Sequence, residues 1–187
     1  RARRQGEPWV HLLVEQTIRD SPSLGEVKAL RFHLEARLRA SERVETPDYS
    51  PNLHAAQFLV YLTVQNLNRQ SPGYGDYYWF GIPIYDDRNP VVRRGVHGDA
   101  GTGKLIYSTP GNLYASESSH GGEWVAFEGD LLPQMLDGLR AAWERGFLKD
   151  SRDLADYRIG GINLGWEVPG IFNVEAQVRN LSVRVLQ

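Results

Sequence analysis

Tyr77-Tyr78-Trp79-Phe80-Gly81-Ile82-Pro83-Ile84-Tyr85-Asp86-Asp87-Arg88 is the stretch on which the reading of this chain turns. Taken with period two, Tyr78, Phe80, Ile82 and Ile84 fall on one face, and Tyr77, Trp79, Pro83 and Tyr85 on the other. The first is an ordinary core face. The second is aromatic where a solvated strand would be polar, and it ends in two carboxylates and an arginine. Such a strand is either covered on both sides or binds something on its outer face.

The same alternation recurs on both sides of it. The clearest case runs from Leu30 to Ala40, with Leu30, Phe32, Leu34, Ala36 and Leu38 set against Arg31, His33, Glu35, Arg37 and Arg39. A helix at 100° per residue would scatter these apolar positions all round its surface. Further strands are expected over Trp9–Ile18, Ala56–Val64, Leu105–Ser108, Glu123–Glu128, Tyr157–Val168 and Phe172–Val185. In the last, the apolar phase shifts between Val178 and Leu181, which predicts a β-bulge near Arg179–Asn180. One amphipathic helix is expected near 131–146, with Asp130 as its cap, Pro133 in its first turn and Gly146 as its stop. The expected architecture is therefore all-β. It is a single-domain antiparallel β-sandwich of jelly-roll type spanning residues 1–187, with about eight strands and one helix.

Composition narrows the function classes. The 187 residues are 41% hydrophobic and 24% charged with a formal net charge of −2, which gives no electrostatic support to nucleic-acid binding. No apolar run approaches the roughly 20 residues of a membrane span. There are no cysteines, so disulfides, thiolate metal sites and cysteine nucleophiles are excluded. The start, Arg1-Ala2-Arg3-Arg4, lacks a methionine and reads as a disordered boundary left by a removed signal peptide or an excised domain. An extracellular or periplasmic location is the expectation.

Gly98-Asp99-Ala100-Gly101-Thr102-Gly103-Lys104 imitates a phosphate-binding loop, but Leu105 stands where a magnesium-binding Ser or Thr is needed and a strand follows instead of a helix. It reads as a glycine-rich turn. The five histidines show no paired spacing. No cofactor is expected; Asp86, Asp87, Asp99 and Asp130, near strand ends, are the candidate ligands for a structural calcium, or else simply cap turns and the helix.

The strongest constellation is the outward-facing set. Tyr77, Trp79, Tyr85 and Trp124 are expected to share solvent-side faces with Arg31, His33, Arg37, Asn163, Glu128 and Glu167. Aromatic rings stack on the C–H faces of sugars, and planar polar groups satisfy the hydroxyls around them. The alternative is that the helix and loops bury these aromatics as a second small core.

With this pattern, and with the turn Gly165-Trp166-Glu167-Val168-Pro169-Gly170 before a long last strand, the chain resembles the lectin-like and carbohydrate-binding-module-like jelly rolls. That group also includes sandwich-fold glycoside hydrolases and polysaccharide lyases. The resemblance implies a polysaccharide or oligosaccharide partner. Three functions stay open. One is a binding domain using the aromatic platforms. Another is an enzyme on the same face: a glycosidase with Glu128 and Glu167 as its carboxylates, or a lyase in which Arg31, His33 and Arg37 neutralise a uronate beside a tyrosine acid or base. The third is a protein-interaction β-domain with its aromatics buried.

Overall fold

Each alternating stretch forms a strand, and the strands divide unequally between two sheets. The computed structural model describes residues 2–187. In chain order the elements are β1 (His11–Thr17), β2 (Ala29–Arg43), β3 (Gln57–Asn66), β4 (Tyr77–Asp86), β5 (Gly95–Gly98), β6 (Leu105–Ser108), β7 (Val125–Asp130), α1 (Leu132–Glu144), β8 (Tyr157–Glu167) and β9 (Phe172–Leu186). The large sheet has the order β1-β8-β3-β4-β6-β5, and the small sheet β7-β2-β9. The result is a jelly-roll β-sandwich with one helix.

The core lies between the sheets. Leu30, Phe32, Leu34 and Ala36 of β2 face Val60, Leu62 and Val64 of β3 and Tyr78, Phe80 and Ile82 of β4, all buried. Burying a leucine or phenylalanine side chain contributes about 1.5–3 kcal/mol, so the alternation seen in sequence dominates the fold.

Helix α1 closes the sandwich over β4 through Leu132, Met135, Leu139 and Ala142. Leu131 is its capping position, one residue later than expected. Asp130 still serves the helix start, because its carboxylate accepts from the Leu132 amide at 3.1 Å and ties it to β2 through the Leu30 amide at 2.9 Å. Gly146 takes φ +80° and ends the helix.

Three local features depart from strict alternation. A register shift between β3 and β4 pairs Phe58 with Tyr85 but Leu59 with Pro83, so Ile84 and Tyr85 both turn inward. Tyr85 therefore leaves the outer face it was predicted to share and packs against Trp166 and His120. The bulge expected near Arg179–Asn180 is present: pairing slips between His33 and Glu35, and Asn180 adopts φ +58°. Among the described residues the sandwich has nine strands rather than about eight, because β5 is four residues bounded by glycines and carries no periodicity. Its neighbour β6 pairs in parallel with β4, the one parallel ladder among the described residues.

The start of the chain, expected to be disordered, is tied down. The Arg3 carbonyl lies 2.7 Å from Nε2 of buried His54, and the Arg3 guanidinium stacks on Trp9. Arg1 lies outside the described residues. Among these, no helix is long and apolar enough to cross a membrane.

Candidate functional site

The outer face of the large sheet follows from register. Tyr61 of β3 lies between Asn163 of β8 and Gly81 of β4, and Thr63 between Gly161 and Trp79. Outward of the core, this face therefore carries His11 and Glu15 from β1, Asn163 and Glu167 from β8, Tyr61, Thr63 and Gln65 from β3, and Tyr77 and Trp79 from β4.

The aromatics form a connected group. Trp79 meets Tyr77 edge-on at 5.1 Å and Tyr61 at 5.9 Å between ring centroids. Gly81 makes room for the Tyr61 ring, since a Cβ there would sit 2.6 Å from Tyr61 Cε1. The Trp79 indole N–H points at Thr102 Oγ1, 3.4 Å away at the β5–β6 turn. Lys104 at the same turn pairs with Asp76 at 2.6 Å and lies over Tyr77.

Two carboxyl groups of this region are driven in opposite directions. Glu167 is raised to about 7, chiefly by burial and then by the negative charge of Asp99, against a smaller opposing contribution from the Trp9 indole. His11 Nε2 stands 3.6 Å from its Oε1. Asp99 is also penalised by burial, but hydrogen bonds from Thr102 and from the Gly101 amide outweigh this and hold it below the ordinary carboxylate value. The hydroxyl of Tyr61 is pushed well up by burial, with the charges of Glu167 and Asp99 adding to it. At neutral pH the face thus presents a partly protonated acid and an ionised one, which is how acid and base roles separate in a site.

The remaining predicted residues lie on the other side of the molecule. Arg31, His33, Arg37 and Glu128 occupy the outer face of the small sheet. His33 Nδ1 is 3.4 Å from Glu128 Oε2, and its Nε2 is 3.7 Å from Glu35 Oε1. The guanidinium groups of Arg37 and Arg179 both lie over the ring of half-buried Trp124, 4.9 and 4.2 Å from its centre. The expected constellation is therefore split in two, and Glu128 and Glu167 do not form a carboxylate pair. Alternation identifies the polar side of each strand but not the sheet it joins, and β2 and β7 join the small one.

The calcium candidates are dispersed. Asp86 is engaged by Arg88 at 2.6 and 2.9 Å and by Gln57 at 2.8 Å. Asp87 accepts from the Ala56 amide at 2.7 Å and is raised by burial. Asp99 closes its own turn and Asp130 serves the helix start. Among the described residues no three His, Asp or Glu side chains converge on a metal position. A cavity of about 50 Å³ beneath residues 83–92 and 111–120 is too small for a sugar ring.

Sequence reading missed Tyr61, His11 and Trp9 as neighbours of Glu167. Tyr61 was legible in principle as an aromatic in the polar phase of its strand. The other two come to Glu167 only through the β1–β8 ladder, which joins opposite ends of the chain.

No family model and no curated protein matches this chain. Solved structures do. An endoglucanase from Rhodothermus marinus superposes with a TM-score of 0.52 at 12% identity, covering 94% of this chain and 74% of that one. The xyloglucanase domain of a type three effector from Sinorhizobium fredii, in complex with cellobiose, gives 0.50 at 11% identity over 99% and 79%. A metagenome-derived family 12 glycoside hydrolase, an endoglucanase, gives 0.50 at 13% over 97% and 76%. At such identities the likeness shows the fold alone. It also narrows the lectin-like resemblance to the sandwich of the family 12 glycoside hydrolases.

Proposed function

We propose that this chain acts on polysaccharide at the outer face of its large sheet, as a glycoside hydrolase whose general acid is Glu167. The observation that carries this reading is the Glu167 carboxyl, raised to about 7 by burial and then by the negative charge of Asp99, on a face holding Tyr61, Tyr77 and Trp79. A carboxyl that keeps its proton near neutrality can pass it to the leaving glycosidic oxygen, while one that stays ionised can draw a proton from water or steady the positive sugar carbon. Trp79 and Tyr77 supply the stacking platform, while Asn163, 7% exposed, lies two strands away on β8 with a buried Oδ1 that has no hydrogen-bond partner among the described residues. No cofactor enters this chemistry. The fold neighbours include endoglucanases and a xyloglucanase domain, so soluble β-glucans and xyloglucan are the first substrates to try. A polymeric substrate fits an extracellular or periplasmic place of action.

A second reading, a non-catalytic binding surface, is favoured by one observation. Both Asp99 oxygens are engaged by its own turn, through Gly101 N, Thr102 N and Thr102 Oγ1. The outward residues of β3 and β4 from Leu59 to Gln65 and from Tyr77 to Pro83 include no other acid.

The test is to incubate the purified protein with each polymer, count reducing ends and size the product, alongside migration through polymer-containing gels. Shortened polymer that Glu167→Gln abolishes supports the hydrolase. Retarded migration with intact polymer moves the conclusion to the binding surface, and neither effect sinks both.

A further inference from the structure

Strand β1 is an edge strand with unusual exposure. Val10, Leu12 and Val14 lie in its core-facing phase yet are 54, 74 and 77% exposed, because the small sheet does not extend over them. Among the described residues β1 pairs with β8 alone. The Val10 carbonyl accepts from Val168 and the Ile18 amide donates to Gly160, so even-numbered residues address β8. By the alternation of an antiparallel ladder, residues 11, 13, 15 and 17 turn their N–H and C=O groups to the open edge. Edge strands are usually blunted by proline, lysine or a bulge. His11-Leu12-Leu13-Val14-Glu15-Gln16-Thr17 has neither proline nor lysine, and its ladder to β8 runs without a register shift.

We propose that β1 is a self-association surface, pairing antiparallel with β1 of a second copy about a two-fold axis through Leu13. The sequence is self-complementary in that register. His11 stands opposite Glu15 of the second copy and Glu15 opposite its His11, while Leu12 and Val14 face each other twice on the apolar side. Moving the axis to Val14 sets Glu15 against Leu13 and His11 against Thr17. Moving it to Leu12 sets His11 against Leu13, so the histidine–glutamate pairing singles out one register. The odd-numbered residues supply the ladder hydrogen bonds, and the two large sheets become one continuous sheet. The pairing does not rest on the hydrolase reading, although His11 and Glu15 stand on the same outer face and His11 also meets Glu167 at 3.6 Å.

Sedimentation velocity of the intact protein over a wide concentration range tests the idea. A reversible monomer–dimer equilibrium is expected. Glu15→Lys should leave monomers, and adding His11→Glu to it should restore the dimer by setting an acid opposite the new base. Leu13→Pro removes an amide that the ladder alternation turns to the open edge, so it should also give monomers, with unchanged far-ultraviolet circular dichroism. A monomer at every concentration overturns the proposal. So does a dimer that survives Glu15→Lys, or failure of the double exchange to rescue it.

Discussion

The hydroxyl of Tyr78 donates to the main-chain oxygen of Met135 at 2.7 Å, fixing α1 to β4 through one buried side chain. The contact depends on Gly138, where a Cβ would lie 2.5 Å from the same hydroxyl and 2.7 Å from its ring carbon. Tyr78→Phe should therefore cost about 1 kcal/mol and Gly138→Ala about 2 kcal/mol or more in urea denaturation. The double variant should recover only part of the second loss, because the phenylalanine ring still occupies the space.

Glu167 should impose a pH dependence on stability. Its value rises from 4.5 to about 7 on folding, so the native state holds this proton more tightly than the unfolded chain. Its favourable contribution is complete below pH 4.5, falls through the window up to about 7 and is then level. The ceiling is on the order of 3 kcal/mol. Glu167→Gln should match the parent near pH 4 and exceed it at pH 8 in thermal melts. A parent profile that stays flat across this window would contradict the burial argument.

The two tryptophans should behave differently. Trp79→Ala is expected to weaken retardation in glucan-containing gels by about tenfold or more, since it removes the stacking platform. Trp124→Ala, on the opposite face beneath two arginines, should leave retardation unchanged and cost about 1 kcal/mol of stability.

Asp86 is 2% exposed, and its carboxylate accepts from Arg88 three times: from the amide, Nε and Nη2. Burial opposes its ionisation, yet these bonds and the arginine charge hold it below the ordinary aspartate value. Arg88→Met strands a buried carboxylate and should cost about 3 kcal/mol at neutral pH. The deficit should begin to shrink above pH 3.8, where protonation relieves the variant's buried carboxyl, and shrink further below it, where the parent loses its ion pair. Guanidinium titrations at pH 7 and pH 3 check both halves.

Strand phases were legible in sequence because period-two burial is local, and Leu30–Ala40 needed no partner to be read. The slip that turned Tyr85 inward was not legible, since it arises from the β3–β4 register. Sheet membership was equally hidden. Arg37 and Trp79 each look outward from an alternating strand, and only the strand order sends them to opposite faces. Glu167 could be named as an acid near a turn, but its raised pKa needs Asp99 and burial that the folded sheet supplies.

The ladders of β1 and of β2 with β9 have a consequence for synthesis. Residues 11–17 meet their partners at 161–167, and residues 29–43 meet theirs at 172–186. A ribosome adding roughly 5–20 residues per second takes about seven seconds or more to pass from the end of β1 to the start of β8. Over that interval β1 has no partner strand, and β2 has none until β7 is made. Each sheet closes only once its late strand, β8 or β9, has emerged, and until then the early strands expose open edges that a chaperone can cover.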